Sequence, residues 1–163
     1  MRFTMRFTMW RERRNYTIWL VTGRILAVDV GARRVGLAIS DASRMLARPL
    51  ETMSVTSEAD AVDRVARRIE QLDGEDEGIA TIVVGMPSSL DGTPTPQTAR
   101  VTAFIALLKT RTKRPITTED ERLTSREAES RLALREKDWR KRKAQLDAMA
   151  AAVFLQDYLD RPR

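Results

Sequence analysis

Three acidic positions in this chain stand where acids are costly or out of pattern. Asp29 sits in Ile25-Leu26-Ala27-Val28-Asp29-Val30, a run otherwise apolar on both faces, as a strand buried from both sides should be. Asp147 shares one side of a helical pattern with Ala150, Ala151, Phe154 and Tyr158. Asp120 and Glu121 follow a short strand pattern and precede Arg122. An ionised carboxylate in a core costs on the order of several kcal/mol unless something compensates it. Each acid alone has a structural reading. Asp29 could cap the turn at Gly31, Asp147 could sit in a first helical turn, and Asp120-Glu121 could be a solvated turn with an Arg ion pair. Together they describe a different chemistry. Three carboxylates about 4 Å apart repel by on the order of 4 kcal/mol per pair at an effective dielectric near 20. Divalent cations remove that cost, and an all-oxygen donor set selects Mg²⁺ or Mn²⁺. A pair of such ions is a clamp for in-line attack of water on a phosphodiester.

Composition narrows the chemistry to this kind. The 163 residues include no Cys and no His. That excludes disulfides, Ser-His-Asp and Cys-His triads, and ordinary zinc sites. The formal charge of +6 is uneven, because residues 1–24 hold six Arg against one Glu. A high pI therefore says little about the body of the chain. A denser basic run, Arg135, Lys137, Arg140, Lys141, Arg142 and Lys143 with Trp139 among them, lies just before Asp147. Such a run is either a solvated surface or a grip on a phosphate backbone.

The elements that must position these residues follow from periodicity. Residues 24–30, 35–40 and 48–55 read as three consecutive strands forming an antiparallel meander. Ala61, Val62, Val65, Ala66, Ile69 and Leu72 recur at helical spacing, opened by Ser57 and closed by Asp73-Gly74. Residues 79–84 form a second fully apolar strand, suited to lie parallel to the first. Its exit, residues 85–96, is rich in Gly and Pro and reads as a long loop, a place where function collects. A helix over 97–109, a short strand over 115–119, a helix over 125–135 and a last, apolar helix from about 144 to 159 complete the order. The fold class is α/β, a mixed five-stranded sheet flanked by helices. Residues 1–23 read as a poorly ordered basic N-terminal extension, and 24–163 as the domain.

Four segments in order carry a resemblance. They are Leu26-Ala27-Val28-Asp29-Val30-Gly31 with Arg34-Val35-Gly36-Leu37-Ala38-Ile39-Ser40-Asp41; Val84-Gly85-Met86-Pro87 with Leu90-Asp91-Gly92; Asp120-Glu121-Arg122-Leu123-Thr124-Ser125 with Ala128-Glu129; and Leu146-Asp147-Ala148-Met149-Ala150-Ala151. On these the chain resembles the YqgF/RuvX family, RNase H-like proteins described as pre-16S rRNA nucleases and Holliday junction resolvase-like proteins. The family usually has Leu at the position of Met86 and often Ser at that of Ala148; neither change touches an acid. The resemblance implies an RNase H-like fold and a catalytic, metal-holding set of Asp29, Glu121 and Asp147. Glu121 is preferred to Asp120 because strand alternation puts it on the face of Glu119. Arg122, Ser125, Asp91, Lys141, Arg142 and Lys143 are the expected substrate contacts.

The implied activity is metal-dependent hydrolysis of nucleic-acid phosphodiester bonds, in 5′-end processing of pre-16S rRNA, or else resolution of branched or single-stranded DNA intermediates. The expected cofactor is Mg²⁺ or Mn²⁺. The expected partners are nucleic acid and the ribosome, with no membrane, in the cytoplasm, as a monomer or a homodimer. Two rivals use the same features. A sugar kinase or actin-like ATPase also begins Asp-x-Gly after a buried strand, but needs two such domains. A non-catalytic RNA-binding, ribosome-associated protein would keep the fold and use only the basic run.

Overall fold

The computed structural model describes residues 23–87, 93–120 and 139–161, with the side chains of 139–144 outside that description. Five strands form one sheet: β1 (Arg24–Val30), β2 (Arg34–Ser40), β3 (Ala47–Ser54), β4 (Ile79–Met86) and β5 (Ile116–Asp120). Their order is β3-β2-β1-β4-β5. The first three strands pair antiparallel as the expected meander, and β4 and β5 add parallel to β1 and to each other. The two uniformly apolar strands, β1 and β4, are thus neighbours inside the sheet, covered on both faces.

Parity divides the sheet residues between two cores. Leu26, Val28 and Val30 of β1, Val35, Leu37 and Ile39 of β2, and Ile82 and Val84 of β4 face one way. There they meet α1 (Glu58–Asp73) and α2 (Pro96–Leu108) through Val62, Val65, Ile69, Val101 and Phe104. The start of α1 is set by Ser57, whose hydroxyl accepts from the N–H of Asp60, and α2 begins with a reciprocal Thr95–Thr98 capping box and Pro96. Ile25, Ala27, Ala38 and Val83 face the other way, onto α3 (Trp139–Asp160), through Ala151, Ala152, Phe154 and Leu155. The small side chains on both sides of this second interface draw α3 close to the strands.

Two boundaries differ from the sequence reading by more than one residue. Strand β4 runs to Met86, so Gly85 and Met86 belong to the sheet and not to its exit loop. Helix α3 is already helical at Trp139, well before residue 144, so the described part of the basic run is helical. Arg, Lys and Gln are good helix formers, but with no apolar stripe they leave no periodic signal. Asp147 consequently lies two turns inside the helix. That removes the macrodipole reading, since the effect fades beyond the first turn. The helix expected over 125–135 lies outside the described residues. Among the described residues no helix is long and apolar enough to cross a membrane.

Candidate active site

The site is built around one transverse row of the sheet. Thr52 pairs with Gly36, Gly36 with Asp29, and Gly85 with Glu119. The register between β1 and β4 places Gly85 one step beyond the Val28–Val84 pair, beside Asp29. Directly paired residues present their side chains to one face, so Asp29, two positions after Ala27, faces the α3 side. It is only partly buried, at the end of an otherwise closed strand.

Asp147 arrives on the same face from the helix. A Cβ at Gly36 would overlap the backbone carbonyl carbon and oxygen of Asp147 and come within 2.7 Å of the Ala148 nitrogen. The absence of a side chain at 36 is therefore what lets this turn of α3 rest on the sheet. The Ala148 N–H donates to the Thr52 hydroxyl at 3.2 Å, tying the same turn to β3. Further along, the Gln156 amide accepts from the Ala47 N–H at 2.8 Å and donates to the Met45 carbonyl at 3.0 Å. These contacts set both the height and the position of α3 over the row. Asp29 is thus the strand partner of Gly36, and the backbone of Asp147 lies directly over Gly36.

The Asp147 side chain is about a quarter exposed, but its Oδ2 is shielded from solvent and accepts no hydrogen bond of normal geometry. Arg34 Nε lies 2.7 Å from it, an ionic contact. In the sequence Arg34 stands only within a segment that carries the resemblance, and no local pattern marks it for chemistry. Gly36 was not singled out either, although an isolated Gly inside a strand pattern signals close backbone approach. A third residue is Glu119, the one buried acid among the described residues; it is bonded to Arg161 just past the end of α3. That partner makes Glu119 a tie between β5 and α3.

The other candidates are unevenly placed. Asp120 ends β5 and is exposed, on the parity opposite to Glu119. Glu121, Arg122, Ser125 and Asp91 lie outside the described residues. Lys141, Arg142 and Lys143 occupy the early turns of α3, Lys143 one turn before Asp147, and their side chains lie outside the description. Among the described residues there is no group of three acids able to hold a metal ion. The two acids that are described do fit one. They are hard oxygen donors on one face, and one of their oxygens is buried without a hydrogen bond.

A sheet ordered β3-β2-β1-β4-β5, with an acid on its central strand under a covering helix, is RNase H-like. The structure of T. thermophilus RuvC in complex with Holliday junction substrate has the same fold, with a TM-score of 0.50 over 84% of this chain and 93% of that one. At 14% identity this likeness speaks for the fold alone. Sequence goes further. The family model described as RuvX, Holliday junction resolvase, matches residues 23–161. A protein of Roseiflexus sp. (strain RS-1) named "Putative pre-16S rRNA nuclease" is 38% identical over 141 residues, 86% of this chain and 96% of its own. One of the same name from Chloroflexus aurantiacus (strain ATCC 29366 / DSM 635 / J-10-fl) is 40% identical over 139 residues, 85% of this chain and 88% of its own. The chain belongs to the RuvX family. The family and these relatives bear the names of nucleases, hydrolases of phosphodiester bonds.

Proposed function

We propose that this chain is a metal-dependent nuclease that acts in the cytoplasm on ribosomal RNA precursors, at the 5′ end of pre-16S rRNA, in contact with the ribosome. The observation that carries the metal site is that Asp29 pairs with Gly36 while the backbone of Asp147 rests on Gly36, with Asp147 Oδ2 buried and without a hydrogen bond beside its ionic contact to Arg34. The shared name of the relatives supports the substrate. Asp29 and Asp147 hold Mg²⁺ or Mn²⁺ together with Glu121. The parity of Glu119, on the α3 side, and of the exposed Asp120 favours Glu121 as the third acid. When bound, divalent ions supply an activated water and stabilise charge on the leaving oxygen. The protein's own part is to keep the acids fixed and to hold the nucleic acid. Lys141, Arg142 and Lys143 grip phosphates one to two turns from Asp147, and Arg122, Ser125 and Asp91 contact the strand near the scissile bond.

A second substrate, branched DNA, is favoured by the family description as Holliday junction resolvase. Cleavage of a pre-16S rRNA precursor, single strands and four-way junctions, compared side by side with Mn²⁺, Mg²⁺ and excess EDTA, tests both. Trimming of the precursor that EDTA stops is the expected result. Cleavage of junctions alone would establish the second substrate. Tight binding with no cleavage of any substrate would remove the catalytic reading.

A further inference from the structure

The position next to Asp147 already holds a cation, and it belongs to the chain. Arg34 Nε lies 2.7 Å from the same Asp147 Oδ2 that is shielded from solvent and accepts no hydrogen bond. The backbone of Arg34 is pinned. Its carbonyl accepts from the Gly31 N–H at 2.8 Å, and the Arg33 carbonyl accepts from the Val55 N–H at 2.9 Å. A Cβ on Gly31 would come within 2.7 Å of the Arg34 carbonyl, so Gly31 is needed for that turn. Arg34 also has the parity of Gly36, which puts it on the α3 side of the sheet. Its side chain, in contrast, is 36% exposed and has a path into water.

We propose that Arg34 is an internal counter-ion of the metal site, holding Asp147 while no divalent ion is bound and releasing it when one binds. The inference rests on the proposed metal-dependent reading. A guanidinium stays charged at any working pH, so it cannot vacate the carboxylate by losing a proton; it has to move. Arg34 and a divalent ion therefore compete for one oxygen. The competition keeps the acid compensated and α3 seated in the absence of metal, at the cost of weaker metal binding.

Calorimetric titration of the full chain with Mn²⁺, together with melting in EDTA, tests this on Arg34→Gln, Asp147→Asn and the double variant. A partly exposed ion pair shifts an equilibrium by at most about fivefold, so Arg34→Gln should bind Mn²⁺ up to about fivefold tighter and melt lower in EDTA. The gain in affinity should vanish when Asp147→Asn is also present. Arg34→Met, which keeps the aliphatic stem, is the second neutral variant should Arg34→Gln fold poorly, and Arg34→Lys, which keeps the charge, should stay near wild type. Unchanged or weaker Mn²⁺ affinity in the neutral variants would overturn the counter-ion role, provided that Asp147→Asn weakens Mn²⁺ binding. Equal Mn²⁺ affinity in wild type and Asp147→Asn would instead overturn the metal site itself.

Discussion

A methyl group at position 36 has nowhere to go. It would fall onto the backbone of Asp147, and backbone cannot rotate away as the end of a side chain can. Gly36→Ala should therefore lift the turn of α3 that carries Asp147. The expected cost is about 1–3 kcal/mol by urea or thermal unfolding, as for other overpacked sites, with a loss of cleavage beyond what lower stability explains. A variant with wild-type stability and activity would show that α3 has room to shift. The two acids were legible in the sequence because each interrupts an apolar pattern, Asp29 in its strand and Asp147 on its helix face. Gly36 and Arg34 were not. A strand Gly announces that something comes close without saying what. The partner of Arg34 lies 113 positions away in sequence, beyond any local pattern.

At the level of elements, the meander, the two apolar strands and the first two helices follow directly from period, caps and turn residues. The start of α3 does not, because charged helical turns resemble a solvated loop. The turn between β2 and β3 also holds more structure than its sequence announces. Asp41 accepts from the N–H groups of Met45 and Leu46, both at 2.9 Å, and from the Ser43 hydroxyl, while Arg44 takes a left-handed φ of 58°. These bonds, the Leu46 N–H first, lower the Asp41 carboxyl from 3.8 to about 2. A group lowered in the folded state adds stability above its unfolded value and loses it as pH falls. The contribution should be complete above pH 3.8 and fade as pH falls through about 2. Asp41→Asn should thus be less stable than wild type at neutral pH, and the gap should close across that acid window. A gap that stays constant across that window, followed by urea unfolding, would mean that the charge on Asp41 contributes nothing to stability.

For the molecule as a whole, the family match begins at residue 23, where β1 is about to start. We expect residues 24–163 to fold alone. A chain shortened to begin at Thr22 should keep its Tm, and a fall of many degrees would show that Trp10, Ile18 or Trp19 belongs to the core. The early turns of α3 bring Lys141, Arg142 and Lys143 to the same helix that carries Asp147. Neutralising all three should weaken nucleic-acid binding and flatten its salt dependence by roughly one unit of slope for each phosphate no longer gripped. An unchanged slope would assign the run to solvated surface. These surfaces and the seat under α3 serve one central claim, that Asp29 holds the metal on which phosphodiester cleavage depends. The most direct measurement is cleavage by Asp29→Asn in Mg²⁺ or Mn²⁺ alongside its nucleic-acid affinity. The substitution keeps the size of the side chain and removes one charge, so cleavage should be abolished while binding stays near wild type. Full cleavage by Asp29→Asn would contradict the account.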